Sequence, residues 1–150
     1  MKTSIKEGFT DLLHQKVENN MSESKAKSKT PKEFFDSFSG ESENALYIVD
    51  YTTKFKKSVD LCYRRNLNLE LLETVIKILS KNGSLPDSYY SHPLKGYKKK
   101  ASEIVMECHI QSDWLLVWLQ NNNELTLLLA DTGTHSDLFD KSKKSRKLFK

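Results

Sequence analysis

Cysteine is almost missing from this chain. Cys62 and Cys108 are the two in 150 residues, far apart and in no CxxC pair. That excludes a disulfide scaffold and a cysteine-rich zinc site. Long hydrophobic runs are missing too: none approaches the roughly 20 residues that cross a bilayer. The first residues, Met1-Lys2-Thr3-Ser4-Ile5-Lys6-Glu7, lack the apolar stretch of a secretory signal. Membrane and secreted readings fall away, and a cytoplasmic location is expected. No HExxH motif and no close histidine pair occurs, so no metal and no cofactor is expected. What remains is 37% hydrophobic and 29% charged, enough for one core but not one using every residue. The length suits a single domain with room for a tail.

The formal net charge of +4 is unevenly placed. Residues 1–44 hold seven lysines against eight acids, and residues 45–140 hold eleven Lys or Arg against twelve acids. The segment 141–150 holds six Lys or Arg and no acid, so the whole excess sits in the tail. A cationic tail attracts polyanions, RNA and acidic proteins alike, or is simply solvated.

Three regions follow. Residues 1–44 read as an extension, largely linker or weakly helical. A weak helix fits about 4–17, with Ile5, Phe9, Leu12 and Leu13 on one side, and 21–32 has almost nothing to bury. Phe34, Phe35 and Phe38 form a small apolar cluster suited to docking on another surface, the chain's own domain included. Residues 45–140 read as the folded domain, and 141–150 as a basic tail.

Within the domain, Leu46 to Val49 reads as a strand. Tyr51, Phe55, Val59 and Cys62 recur at helical spacing. Asn68 caps a second helix whose Leu72, Val75, Ile76 and Leu79 make one stripe, and Lys81-Asn82-Gly83 stops it. The short join between the helices predicts an antiparallel hairpin. After a long connection over 84–102, Ile104, Met106, Cys108 and Ile110 alternate with Glu103, Val105, Glu107 and His109. The runs Trp114–Leu119 and Leu125–Ala130 complete a three-stranded meander, and a short element with Leu138 and Phe139 ends it. The class is α+β: a strand, a helical hairpin, an antiparallel meander and a short C-terminal element.

Chemistry concentrates at element ends. His109 and Asp113 flank a tight turn, His135 follows the last strand by one turn, and His92 precedes Pro93 in the long connection. A meander can gather these ends on one side. Imidazole titrates near neutrality and so can both take and give protons at cellular pH. RNA supplies its own nucleophile, the 2′-hydroxyl. Its cleavage then needs a base, an acid for the leaving 5′-oxygen, and positive charge for the phosphorane.

Three ordered segments sharpen this: Ser91-His92-Pro93-Leu94-Lys95-Gly96, Cys108-His109-Ile110-Gln111-Ser112-Asp113-Trp114-Leu115-Leu116-Val117, and Thr132-Gly133-Thr134-His135-Ser136-Asp137-Leu138-Phe139. Together they resemble the YafQ-type toxins of the RelE/ParE superfamily over about residues 45–140. The resemblance implies a RelE-like fold and a type II toxin that cleaves mRNA, typically on the ribosome, and is neutralised by a cognate antitoxin. It implies functional positions at His92, His109, Asp113, Trp114, His135 and Phe139. His135 is then the first choice as proton donor. His109 and Asp113 would activate the 2′-hydroxyl or hold its partner, and His92 would contact phosphate or assist proton transfer. Trp114 and Phe139 would shape the base-binding surface by stacking or packing, and Lys95 would add charge near His92. One departure stands out. Family members commonly carry Arg immediately before the Thr-Gly-Thr/Ser-His run, whereas this chain has Asp131. An anion there would repel phosphate. The alternative is therefore a catalytically weakened or silent binding module on the same fold.

Overall fold

A computed structural model describes residues 29–38, 44–97 and 99–139. The expected helix at 4–17, most of the 21–32 linker and the basic tail lie outside the described residues. The elements are α1 (Pro31–Asp36), β1 (Ile48–Tyr51), α2 (Thr53–Arg64), α3 (Leu69–Asn82), a 3-10 turn (Asp87–Tyr89), β2 (His92–Pro93), β3 (Glu103–Gln111), β4 (Trp114–Asn121), β5 (Thr126–Gly133) and α4 (His135–Phe139). They build one five-stranded sheet in the order β1-β5-β4-β3-β2. β3, β4 and β5 form the expected antiparallel meander, and β1 runs parallel to β5.

The helices cover one face of the sheet. Phe55, Val59 and Cys62 of α2 and the apolar stripe of α3 share a core with Cys108, Ile110, Trp114, Leu116, Trp118, Leu127 and Leu129. Burial pushes the Cys62 thiol up to about 12, which leaves it inert as a nucleophile. The opposite face carries a smaller cluster of Val105, Leu115, Val117 and Ala130, closed by Leu138 with Phe139 packed against it. α4 therefore lies on the face away from the helical layer. Alternation along β3 puts His109 and Glu107 on this second face, with Val105.

Three expectations need correction. Tyr51 does not begin the first helix. It pairs with Leu129 at the end of β1, because Thr52 caps α2: its Oγ1 accepts from Phe55 N and donates to the Ala130 carbonyl. His92 is not in an unstructured connection but on the edge strand β2, paired with Glu107. The expected linker stops short of 32. Thr30 and Glu33 close a capping box, Pro31 takes the first helical turn, and α1 forms.

That helix joins the domain's core. Phe34 is fully buried, with its ring centroid 6.4 Å from Phe55, and Phe35 lies 4.6 Å from Tyr51. Lys29 bonds the buried carboxylate of Glu73 on α3, which Lys77 also contacts. Burial alone would raise the Glu73 pKa, but these two ammonium groups outweigh it and hold the carboxylate below its usual range. The phenylalanine cluster thus docks on the chain's own domain. Among the described residues, 29–38 pack against the domain that follows.

Candidate active site

The site lies at the β3–β4 turn and the C-terminal end of β5, beside α4. Gly133 sets its geometry with φ +153, since a Cβ there would come within 2.8 Å of an Asp137 carboxylate oxygen. That carboxylate accepts from the Thr134 backbone N–H, caps α4 and takes a forked pair of hydrogen bonds from Arg65 of α2. Burial would raise the Asp137 pKa; the Arg65 and Thr134 hydrogen bonds override it and lower the value. The clamp is therefore in force above the ordinary Asp pKa and is lost as pH falls through the lowered one. It fixes the start of α4, and with it His135.

His135 reaches toward β3. Its ring centroid is 6.1 Å from that of His109 and 5.9 Å from Phe139. Asp113, in the β3–β4 turn, holds it twice through one oxygen: Oδ1 accepts from the His135 backbone N–H at 3.2 Å and lies 3.3 Å from Nδ1. A carboxylate beside Nδ1 orients the ring and leaves Nε2 for the substrate. His109 precedes a shift in the β3–β4 register between His109 and Gln111. Such bulges re-aim side chains beside active sites.

His92 is held at the neighbouring edge. Its Nδ1 is 3.0 Å from the Tyr90 carbonyl oxygen and its Nε2 is 3.0 Å from Glu107 Oε1. The two contacts hold the ring's orientation at the sheet edge. Glu107 is 4% exposed, and its Oε2 has no hydrogen-bond partner among the described residues. Tyr90 closes the row, its ring centroid 6.0 Å from His109. The sequence of rings is Tyr90, His109, His135, Phe139.

Four expected residues, His92, His109, Asp113 and His135, thus fall along one side of the sheet's end, with Phe139 against His135. Trp114 is not exposed among them. Trp114 is 2% exposed, and its indole N–H donates to Thr132 Oγ1, which donates in turn to the Leu115 carbonyl. It ties β4 to β5 and cannot stack on a base. Its part is the packing one. Lys95 lines a hollow with Lys99, Glu103 and Ile104. Ile104 is five residues from His109, or roughly 16 Å along the strand, so the hollow is remote from His109, while Pro93, next to His92, also lines it.

Asp131 also differs from expectation. It is 1% exposed, accepts from Ser58 Oγ and the Thr132 N–H, and lies 3.4 Å from Lys54 Nζ. Burial raises its pKa, and the Ser58 and Lys54 contacts oppose that without cancelling it. Its carboxylate is engaged by α2 and presents no free anion to a phosphate. Asp131→Arg should therefore add no cleavage. Instead it should lose about 3–5 kcal/mol of unfolding free energy, since a guanidinium would be buried beside Lys54 without a partner. Denaturant unfolding with an RNA cleavage assay checks both halves.

Sequence reasoning passed over Glu107 and Tyr90. Glu107 had a signal, because it shares its strand face with His109. Tyr90 had none, since its place depends on a left-handed turn, φ +51, after the 3-10 segment.

The chain is similar in sequence and fold to known proteins. The chain is 30% identical over 96 residues to the mRNA interferase toxin YafQ of Escherichia coli (strain B / BL21-DE3), covering 61% of this chain and 94% of that protein. The crystal structure of the E. coli DinJ-YafQ toxin-antitoxin complex superposes with a TM-score of 0.55 at 27% identity, covering 63% of this chain and 98% of that one. A metal-bound toxin from Helicobacter pylori superposes with a TM-score of 0.53 at 34% identity, covering 61% and 97%. Fold and sequence together define the class of bacterial type II toxins. Residues 47–140 match the family described as "Bacterial toxin of type II toxin-antitoxin system, YafQ", and the chain belongs to that family.

Proposed function

We propose that this protein is an endoribonuclease toxin that cleaves mRNA through the RNA's own 2′-hydroxyl, without a metal. The observation that carries the reading is the His109–His135 pair, 6.1 Å between centroids, with Asp113 behind His135. His109 takes the proton from the 2′-hydroxyl, whose oxygen attacks the adjacent phosphorus. His135 gives its Nε2 proton to the departing 5′-oxygen, and Asp113 steadies the imidazolium before transfer. His92, held between the Tyr90 carbonyl and Glu107 at the neighbouring edge, is the group proposed to contact the phosphate or assist proton transfer. The products are a 2′,3′-cyclic phosphate and a 5′-hydroxyl, so atoms and protons balance with no added reactant.

The target is mRNA on the ribosome in the cytoplasm, and the effect is arrest of translation. The name of the E. coli relative and the six cations of residues 141–150 support an RNA target. The partner is a cognate antitoxin, as in the DinJ-YafQ complex. A silent binding module finds less support, because the anion that suggested it is engaged by Ser58 and Lys54.

The test is cleavage of an mRNA, with and without ribosomes, by the purified full chain. Replacing the ribose at a mapped cleavage site with 2′-deoxyribose should stop cleavage there, and excess EDTA should leave the rate unchanged. A deoxy substrate cut at the same site, or a rate abolished by EDTA and restored by a divalent metal, would refute the proposal.

A further inference from the structure

We infer that Tyr90 is the base-stacking platform of the site and fixes the nucleotide beside the scissile phosphate. This rests on the RNA reading above and names a contact within it. Trp114 and Phe139 were the aromatic candidates for that task. Trp114 is in the core, and Phe139 is half-buried against Leu138 and its neighbours. A base needs an open ring face, and Tyr90 is 70% exposed.

Exposure alone says little, because single surface aromatics are common. Placement says more. Tyr90 touches two of the three histidines in different ways. Its carbonyl accepts from His92 Nδ1, and its ring meets His109 edge to face, 6.0 Å between centroids and 81° between planes. One residue thus orients a candidate phosphate contact with its backbone and flanks the candidate base with its side chain. The backbone that permits this is uncommon for a tyrosine, with φ +51. The 3-10 turn ends there, and the Tyr90 N–H donates to the Asp87 carbonyl. Residues held in such conformations cluster at ligand sites. The reversed turn sends the carbonyl toward His92 and leaves the ring in solvent beside His109.

Single-stranded RNA is the ligand that suits this ring. Its bases splay out and stack on aromatic faces, and every base offers such a face, so affinity is gained without tight sequence choice. A base on Tyr90 would hold its ribose next to His109.

The test uses the full chain and a short RNA whose scissile nucleotide is 2′-deoxy, so that binding is read apart from chemistry. Tyr90→Asn removes the ring with a residue that tolerates left-handed backbone. It should weaken binding about ten- to a hundred-fold, the range of one aromatic–base stack. Tyr90→Phe should bind as wild type. An abasic RNA reads the same contact on the unaltered protein. At one nucleotide flanking the scissile phosphate, base removal should cost wild type what Tyr90→Asn costs, and cost Tyr90→Asn nothing more. Cleavage of unmodified RNA should show the loss chiefly in KM. If wild type binds and cleaves while Tyr90→Asn binds equally well, the inference is overturned and the ribonuclease reading stands. If wild type neither binds nor cleaves RNA, both fall.

Discussion

His135→Ala should slow RNA cleavage by about 10²–10⁴-fold while leaving the fold unchanged. The range is that of one positioned general acid or base. The side chain is exposed, so little packing is lost with it. What is lost is a proton on a nitrogen that Asp113 and the start of α4 have aimed. His109→Ala should fall in the same range, and the double variant should lose much less than the product of the two, because acid and base act in one step. Asp113→Asn should cost less than either, since the backbone N–H of His135 keeps an acceptor there. Single-turnover cleavage by the purified variants, with circular dichroism as a fold control, reads all four. Full activity in His135→Ala would remove this histidine from the chemistry.

The second large effect lies outside the residues that match the family. Phe34→Ala should destabilise the chain by about 3–5 kcal/mol, the usual cost of deleting a fully buried phenyl ring. At roughly 2–4 °C per kcal/mol for a chain of this size, that is a fall in Tm of about 10 °C. Phe34 stands before residue 47, where the family match begins. If residues 29–38 were a passive linker, Phe34→Ala would leave Tm unmoved. Its burial against Phe55, with Phe35 against Tyr51 and Lys29 on Glu73, argues that α1 is a working part of the core. Glu73→Ala offers a second handle, because it removes the carboxylate that Lys29 and Lys77 both contact. RNA cleavage at a temperature where the Phe34→Ala chain is still folded should stay near wild type, since α1 packs on the helical layer and the histidines lie on the other face.

How far the sequence foretold this depends on the range of the interactions. Period-2 alternation over Glu103–Ile110 and the helical stripe from Leu72 to Leu79 are local, and both elements form where expected. The placing of His109, Asp113 and His135 was legible because each lies at a strand end or turn, and a meander returns such ends to one side. β2 was not legible: two residues at an edge carry no periodicity, and only pairing with Glu107 and Met106 defines them. The docking of α1 was half legible, because three phenylalanines announce a need for cover without saying where cover lies. The partners of Asp131, and the choice between stacking and packing for Trp114, were open for one reason. Position in a motif fixes the backbone site, but which way a side chain turns depends on distant partners, here Ser58 and Lys54 for one and Thr132 for the other.

The central claim is that imidazoles at the end of this sheet pass the protons while the 2′-oxygen attacks phosphorus. The most direct check is the chemistry of the cut ends, read by mass spectrometry of a short RNA treated with the purified full chain. A 2′,3′-cyclic phosphate, or the 3′-phosphate it opens to, with a 5′-hydroxyl on the other fragment, is the expected result. A 3′-hydroxyl with a 5′-phosphate would mean that water or hydroxide attacked instead, and would contradict the account.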